Sequence, residues 1–193
     1  MKMTVSPGDA LIVVDVQNDF LPGGALAVPQ GDQVIEPLNR AAVLFEAKGL
    51  PVFATRDWHP ENHCSFKAQG GPWPPHCVAG TRGAEFAPSL RLPASAVVIS
   101  KATTPERDAY SGFQGTELAE LLRRRGVKRV MVGGLATDYC VLNTVKDALT
   151  QGFQVLLLTD AIRAVDVKPG DGEAARTEME RAGAVPITVA DLA

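Results

Sequence analysis

Arg129 to Val141 reads RVMVGGLATDYCV. Val130-Met131-Val132 is an apolar run suited to a buried strand, and Gly133-Gly134 is a tight exit. Thr137, Asp138 and Cys140 then fall in the first turn of a helix. In a parallel α/β sheet, ligands gather beyond the carboxyl ends of the strands, where the next helix points its N-terminus. A thiol placed there meets unpaired backbone N–H groups and the positive end of the helix dipole, which favour thiolate and lower its pKa. Cys140 is therefore a candidate nucleophile; the alternative is a small buried hydrophobe, as many free cysteines are.

The same punctuation surrounds this stretch. A helix over Leu118 to Arg125 is closed by Gly126 ahead of the Val130 strand. One over Asp138 to Gln151 is closed by Gly152 before the strand Phe153 to Thr159, and one over Glu173 to Ala182 by Gly183 before Val185 to Val189. Nearer the start, Ala10 to Val16 is a buried strand with Asp15 near its end. Asp32 can cap a helix that reaches about Lys48, with Pro37 near its regular start, and Gly49 precedes the strand Pro51 to Thr55. With Ala96 to Ser100 that makes six strands, mostly parallel because helices supply the crossovers. The expectation is a three-layer α/β sandwich, a Rossmann-like sheet flanked by helices, in a single domain spanning residues 1–193. Arg56 to Ser95 departs from this rhythm. It holds six prolines and little periodicity, and loops of that length in compact domains are usually functional.

Composition narrows the function. A chain of 193 residues with 46% hydrophobic and 21% charged residues is ordinary for a soluble globular protein. The formal net charge of −3 argues against a sequence-independent nucleic-acid surface, and Arg123-Arg124-Arg125 suits the last turn of its helix. No apolar run approaches a membrane span, and Met1-Lys2-Met3-Thr4 leads into a strand rather than a signal peptide. Three cysteines are too few for a disulfide framework and point to a reducing cytoplasm.

Three strand ends carry chemistry-bearing side chains: Asp15, Lys101 after Val97 to Ser100, and Cys140. Asp15 could take the thiol proton, Lys101 could hold thiolate and carboxylate in place, and Cys140 could attack a carbonyl, with backbone N–H groups of Ala136 and Cys140 as an oxyanion hole. A structural Asp15–Lys101 ion pair is the plainer alternative. All three histidines, His59, His63 and His76, lie in the irregular segment beside Asp57. Asp57 and His59 point the same way in extended chain, and with His76 they offer ligands for a divalent ion. A surface histidine cluster, or a structural zinc site using Cys64 or Cys77, would use the same residues. Phe20, Trp58, Trp73 and Tyr110 sit in loops rather than at core periodicity; Trp73 and Phe20 would suit a flat aromatic substrate, with ordinary loop packing as the alternative.

Taken together, the motifs are specific. Asp15-Val-Gln-Asn-Asp-Phe20, Gly23-Gly24-Ala-Leu26, Asp57-Trp-His-Pro60, His63-Cys-Ser-Phe66, Trp73-Pro-Pro-His-Cys-Val78, Gly80-Thr81, Lys101, Tyr110-Ser-Gly-Phe113 and Gly134-Leu-Ala-Thr-Asp-Tyr-Cys-Val141 resemble, in family order, the nicotinamidases (pyrazinamidases) of the isochorismatase-like cysteine hydrolase superfamily. The resemblance implies a six-stranded parallel sheet, an Asp15–Lys101–Cys140 triad and a cis peptide before Ala136. It also implies one divalent metal, zinc with iron or manganese as alternatives, held by Asp57, His59 and His76. His63 matches a histidine that ligates metal in only some members. Phe20 and Trp73 would sandwich the ring of the substrate, with Tyr110 beside them. The implied activity is deamidation of nicotinamide to nicotinate and ammonia through a thioester, in pyridine-nucleotide salvage, with pyrazinamide also accepted. The implied partner is this small molecule, not nucleic acid or membrane, and homo-oligomerisation is left open. A related amidase, a carbamoyl hydrolase, or a non-catalytic metal-binding protein on the same fold are the alternatives. Ala102 departs from the glycine many members have after the lysine.

Overall fold

Six apolar runs become strands under flanking helices; the four central ones are largely buried on both faces, while the two edge ones, around Val98 and Val185, are covered only in part. A computed structural model describes residues 2–193. Its strands are β1 (Asp9–Val14), β2 (Val52–Asp57), β3 (Val97–Lys101), β4 (Arg129–Leu135), β5 (Gln154–Arg163) and β6 (Val185–Ile187). They form one sheet in the order β3-β2-β1-β4-β5-β6, and every neighbouring pair is parallel.

The helices are α1 (Ile35–Ala47), α2 (Leu118–Arg124), α3 (Leu142–Thr150) and α4 (Asp171–Ala182). Alternation along β1 sorts them into layers. Leu11 and Val13 pack with Leu38, Ala41 and Phe45 of α1. Ala10, Ile12 and Val14 face the other way, with Leu118 and Leu122 of α2, Val145 and Ala148 of α3, and Met179 of α4. The sheet thus lies between α1 on one side and three helices on the other. From β1 the chain builds outward through β2 and β3, then returns to build β4, β5 and β6 on the opposite flank. The strand order reverses between β1 and β4, the place where ligands bind in open α/β sheets.

Several boundaries differ from the sequence reading, each for a local reason. Asp32 caps nothing: it lies inside a 3₁₀ turn, Gly31–Val34, that leads into α1. Pro37 then sits in the first turn of α1, where its missing N–H costs no hydrogen bond. Gly133-Gly134 is not an exit but part of β4, which continues to Leu135 across a register shift against β5. Gly134 is required there, because it has φ +127° and a Cβ on it would lie 2.1 Å from the carbonyl oxygen of Val14. β2 runs two residues past Thr55, to Asp57, and β5 runs on to Arg163. The rest of the segment up to Ser95 holds two single 3₁₀ turns, Lys67–Gln69 and Arg82–Ala84, and isolated bridges such as His59 with Val78 and Phe66 with Trp73. Among the described residues no helix is long and apolar enough to cross a membrane.

Candidate active site

Asp15 is the first residue beyond β1, and its φ of 50° turns the chain out of the sheet. Its backbone N–H still donates to Thr55 O at 3.1 Å, and Thr55 Oγ1 donates to Asp15 Oδ1 at 2.7 Å, so neighbouring β2 fixes the carboxylate. Lys101 ends β3, two strands away, with Asp57 beside it in register on β2. Only a long side chain reaches across that gap. Its ammonium lies 2.8 Å from Asp15 Oδ2, 3.3 Å from Ala109 O and 3.4 Å from Cys140 Sγ, and it also pairs with Asp57 Oδ1. Asp15, Lys101 and Cys140 are all buried. Asp15 Oδ2 makes no directed hydrogen bond despite that ion pair, so it keeps an acceptor lone pair.

The electrostatics assign protons. Burial pushes the Asp15 carboxyl up; Lys101 pulls against it and Asp57 adds to the rise. For Lys101, burial favours the neutral amine, but Asp15 and Asp57 outweigh it and keep the ammonium. Burial pushes the Cys140 thiol well above its ordinary value; Lys101 opposes this, while Asp15 and Asp57 reinforce it. The sequence suggested a lowered pKa at a helix N-terminus. The structure instead holds Cys140 as a thiol in a π-helical turn, Thr137–Val141, ahead of α3, with two carboxylates nearby. Iodoacetamide alkylation of Cys140 should therefore keep accelerating from neutral into mildly alkaline solution. A rate already on its plateau in weak acid would mark a resting thiolate instead.

Asp57 also belongs to a second cluster. The ligand atoms of Asp57, His59 and His76 lie within 4.8 Å of one another, and all three residues are buried. His59 Nδ1 is 2.9 Å from Ala102 O and His76 Nδ1 is 2.8 Å from Pro74 O. Each carbonyl takes an Nδ1–H, which turns Nε2 toward Asp57 Oδ2, at 3.4 and 3.9 Å. Burial holds His76 toward the neutral form. At His59 burial acts the same way, but the Asp57 carboxylate outweighs it and raises the pKa, a negative charge that a cation would neutralise. At Asp57 itself burial favours the acid, and Lys101 with His59 overcomes it, holding the carboxyl below the usual range. Once an incoming cation displaces the proton that Asp57 favours on His59, two neutral imidazoles and a carboxylate fit a divalent ion such as zinc.

His63 stands one layer out. Its ring stacks on His59 at 4.0 Å, and its nitrogens are taken by Ser65 Oγ at 2.7 Å and Arg107 O at 2.9 Å. Cys64 and Cys77 are outside the converging set as well. Burial pushes the Cys77 thiol far up.

Both clusters open on one cavity of about 40 Å³. Phe20, Trp73, Tyr110, Ala136 and Cys140 line it. The Leu135–Ala136 peptide is cis, and Ala136 O accepts the N–H groups of Tyr139 and Val141, both at 3.1 Å. Trp73 Nε1 donates to Tyr110 Oη at 3.1 Å, which locks one wall. Trp58 is not in the slot; Arg56 stacks on its ring at 3.7 Å. Sequence reasoning missed Tyr139, whose ring meets Trp73 edge-on at 5.2 Å, and Leu26, Val28 and Val165, which complete the slot. Tyr139 stands next to Cys140 in sequence, the one hint available. It also missed Asp138, whose two carboxylate oxygens take the N–H groups of Val165 and Asp166 at 2.9 Å and so hold that wall.

Comparison with known proteins agrees with this geometry. The chain is 42% identical to the nicotinamidase of Escherichia coli, over 96% of this chain and 97% of the relative. A crystal structure of the pyrazinamidase of Pyrococcus horikoshii in complex with zinc superposes with a TM-score of 0.91 at 55% identity, covering 94% of this chain and 99% of the other. PnC1 from L. infantum in complex with nicotinate superposes with a TM-score of 0.92 at 41% identity, covering 100% and 99%. Residues 9–191 match the isochorismatase domain along nearly their whole length, and the chain belongs to that family.

Proposed function

We propose that this chain is a metal-dependent cysteine amidohydrolase that converts nicotinamide to nicotinate and ammonia, and that it also accepts pyrazinamide. The observation that carries the reading is the place of Asp57: it faces Lys101 with one oxygen and the two histidines with the other. The thiol and the metal-holding donors therefore open on one aromatic slot. The relatives named above support the same chemistry.

In this reading Asp15 Oδ2 takes the proton of Cys140 as Sγ bonds to the carboxamide carbon. The N–H groups of Ala136 and Cys140 receive the developing oxyanion. The C–N bond then breaks, and ammonia leaves with the proton returned from Asp15. Asp15 next deprotonates a water that adds to the thioester. Nicotinate departs, and the proton returns to the Cys140 sulfur. Lys101 stays protonated and holds Asp15 in place. Phe20, Trp73 and Tyr110 flank the ring. Asp57, His59 and His76 would hold the divalent ion, zinc first among candidates, and when bound the ion supplies a Lewis-acid anchor for the ring nitrogen. His63 braces His59 by stacking. The chain acts as one domain, 1–193, and works in the cytoplasm, where its three cysteines stay free.

The test is ammonia release from a series of aromatic amides. Benzamide keeps the ring and the amide but lacks the meta nitrogen, and it should be hydrolysed about 10²-fold more slowly than nicotinamide. Pyrazinamide, which retains a meta nitrogen, should be accepted. Equal rates for benzamide and nicotinamide would sink the assignment.

A further inference from the structure

Gln17 is wholly buried, yet it belongs to neither the triad nor the metal set. β1 stops at Val14, whereas β2 runs on to Asp57, so the last residue of β2 faces a place where β1 has already turned away. In a parallel ladder alternate residues present both N–H and C=O to the same neighbour. Pro51 O accepts Leu11 N–H at 3.0 Å, and Thr55 O accepts Asp15 N–H at 3.1 Å. Two residues further, Asp57 turns the same way and finds a side chain where backbone would be. Gln17 Oε1 accepts Asp57 N–H at 2.9 Å, and Gln17 Nε2 donates to Asp57 O at 2.8 Å. The carboxamide thus makes the missing rung. Its other amide hydrogen goes to Ala84 O at 2.8 Å, in the loop that follows His76.

We propose that Gln17 is a positioning residue that sets Asp57 between the ammonium of Lys101 and the ligand nitrogens of His59 and His76, and so governs metal affinity. The proposal rests on the metal reading above. Asp57 must present one oxygen to Lys101 and the other to the histidines, and that division depends on where its backbone is held. Without the Gln17 rung, a buried N–H and two buried carbonyls lose their partner, and the end of β2 is released to reorganise. Gln17 stands two residues after Asp15, so one turn of chain delivers both the base and the clamp.

Zinc affinity, measured by competition with a chromophoric chelator, tests this. Gln17→Met keeps the length of the side chain and removes the carboxamide; Gln17→Glu keeps an acceptor for Asp57 N–H and loses both donations when ionised. Both should bind zinc roughly 10- to 100-fold more weakly than the parent, the usual effect of removing a group that supports a metal ligand. Leu122→Ala, in the core under α2 just before β4 begins and so toward the opposite end of the strands from Asp57, loosens the fold without touching Asp57, and should bind zinc within about twofold of the parent. Parent-like affinity in a folded Gln17 variant overturns the proposal while leaving the metal reading intact; a parent that binds no zinc removes both. In the parent itself, the Gln17 side-chain amide protons should exchange slowly and move when zinc is added. Rapid exchange there would overturn the proposal even if neither variant folds.

Discussion

Replacing Cys140 with alanine is expected to lower kcat for nicotinamide by about 10⁵-fold or more. The size follows from the chemistry of the slot. No other nucleophile lies on Asp15 and Lys101: Cys64 and Cys77 stand elsewhere, and Thr55 Oγ1 is already donating to Asp15. The loss should be catalytic only. The side chain is small, it sits at the edge of a cavity, and Val141 and Val145 carry the packing of this segment. Circular dichroism and bound metal should therefore match the parent. Intact-mass analysis of parent enzyme quenched during turnover should show an acyl adduct that the variant lacks. A variant that keeps about a hundredth of the parent rate would exclude covalent catalysis by Cys140.

Removing the metal is expected to lower nicotinamide turnover by about 10³-fold while leaving the fold in place. Stripping by chelator and the variant His76→Ala should agree. The argument rests on what else holds the three ligands. Asp57 is a strand residue paired in register with Lys101, His59 N–H donates to Cys77 O at 2.9 Å, and His76 is anchored through Pro74 O. These contacts need no ion, so the far-ultraviolet spectrum should hardly change, although the melting temperature should fall as a native-state ligand is lost. Zinc should restore activity to the stripped parent and much less to His76→Ala. Unfolding on chelation would identify a structural metal instead, and full activity in protein shown by elemental analysis to be metal-free would remove the metal from the reaction.

Much of this was legible in the chain itself. The glycine-closed helices ahead of short apolar runs dictated a parallel sheet, because a strand that must return in the same direction needs a helix to carry it back. Asp15, Lys101 and Cys140 could be singled out because each ends or closely follows a strand, and strand ends in such a sheet share one edge. Asp57 and His59 could be paired because side chains two apart in extended chain point the same way.

Tertiary structure alone decided the rest. Sequence placed Lys101 on the same edge as Asp15, but not that its side chain spans β2 and pairs with Asp57, which joins the Asp15–Lys101–Cys140 cluster to the two histidines. A helix N-terminus suggested a thiolate at Cys140; instead it sits buried in a π-turn, and burial with the neighbouring carboxylates pushes its pKa up despite Lys101. The resemblance left His63 open as a fourth ligand, and the structure gives both its nitrogens to Ser65 and Arg107. Gln17 stood inside the Asp15–Phe20 motif with no role to read from it, since its part arises only where β1 ends before β2. Local patterning determines which elements form and which edge they share. Which polar atoms meet at that edge depends on side chains arriving from distant segments, and that is settled only when the sheet is assembled.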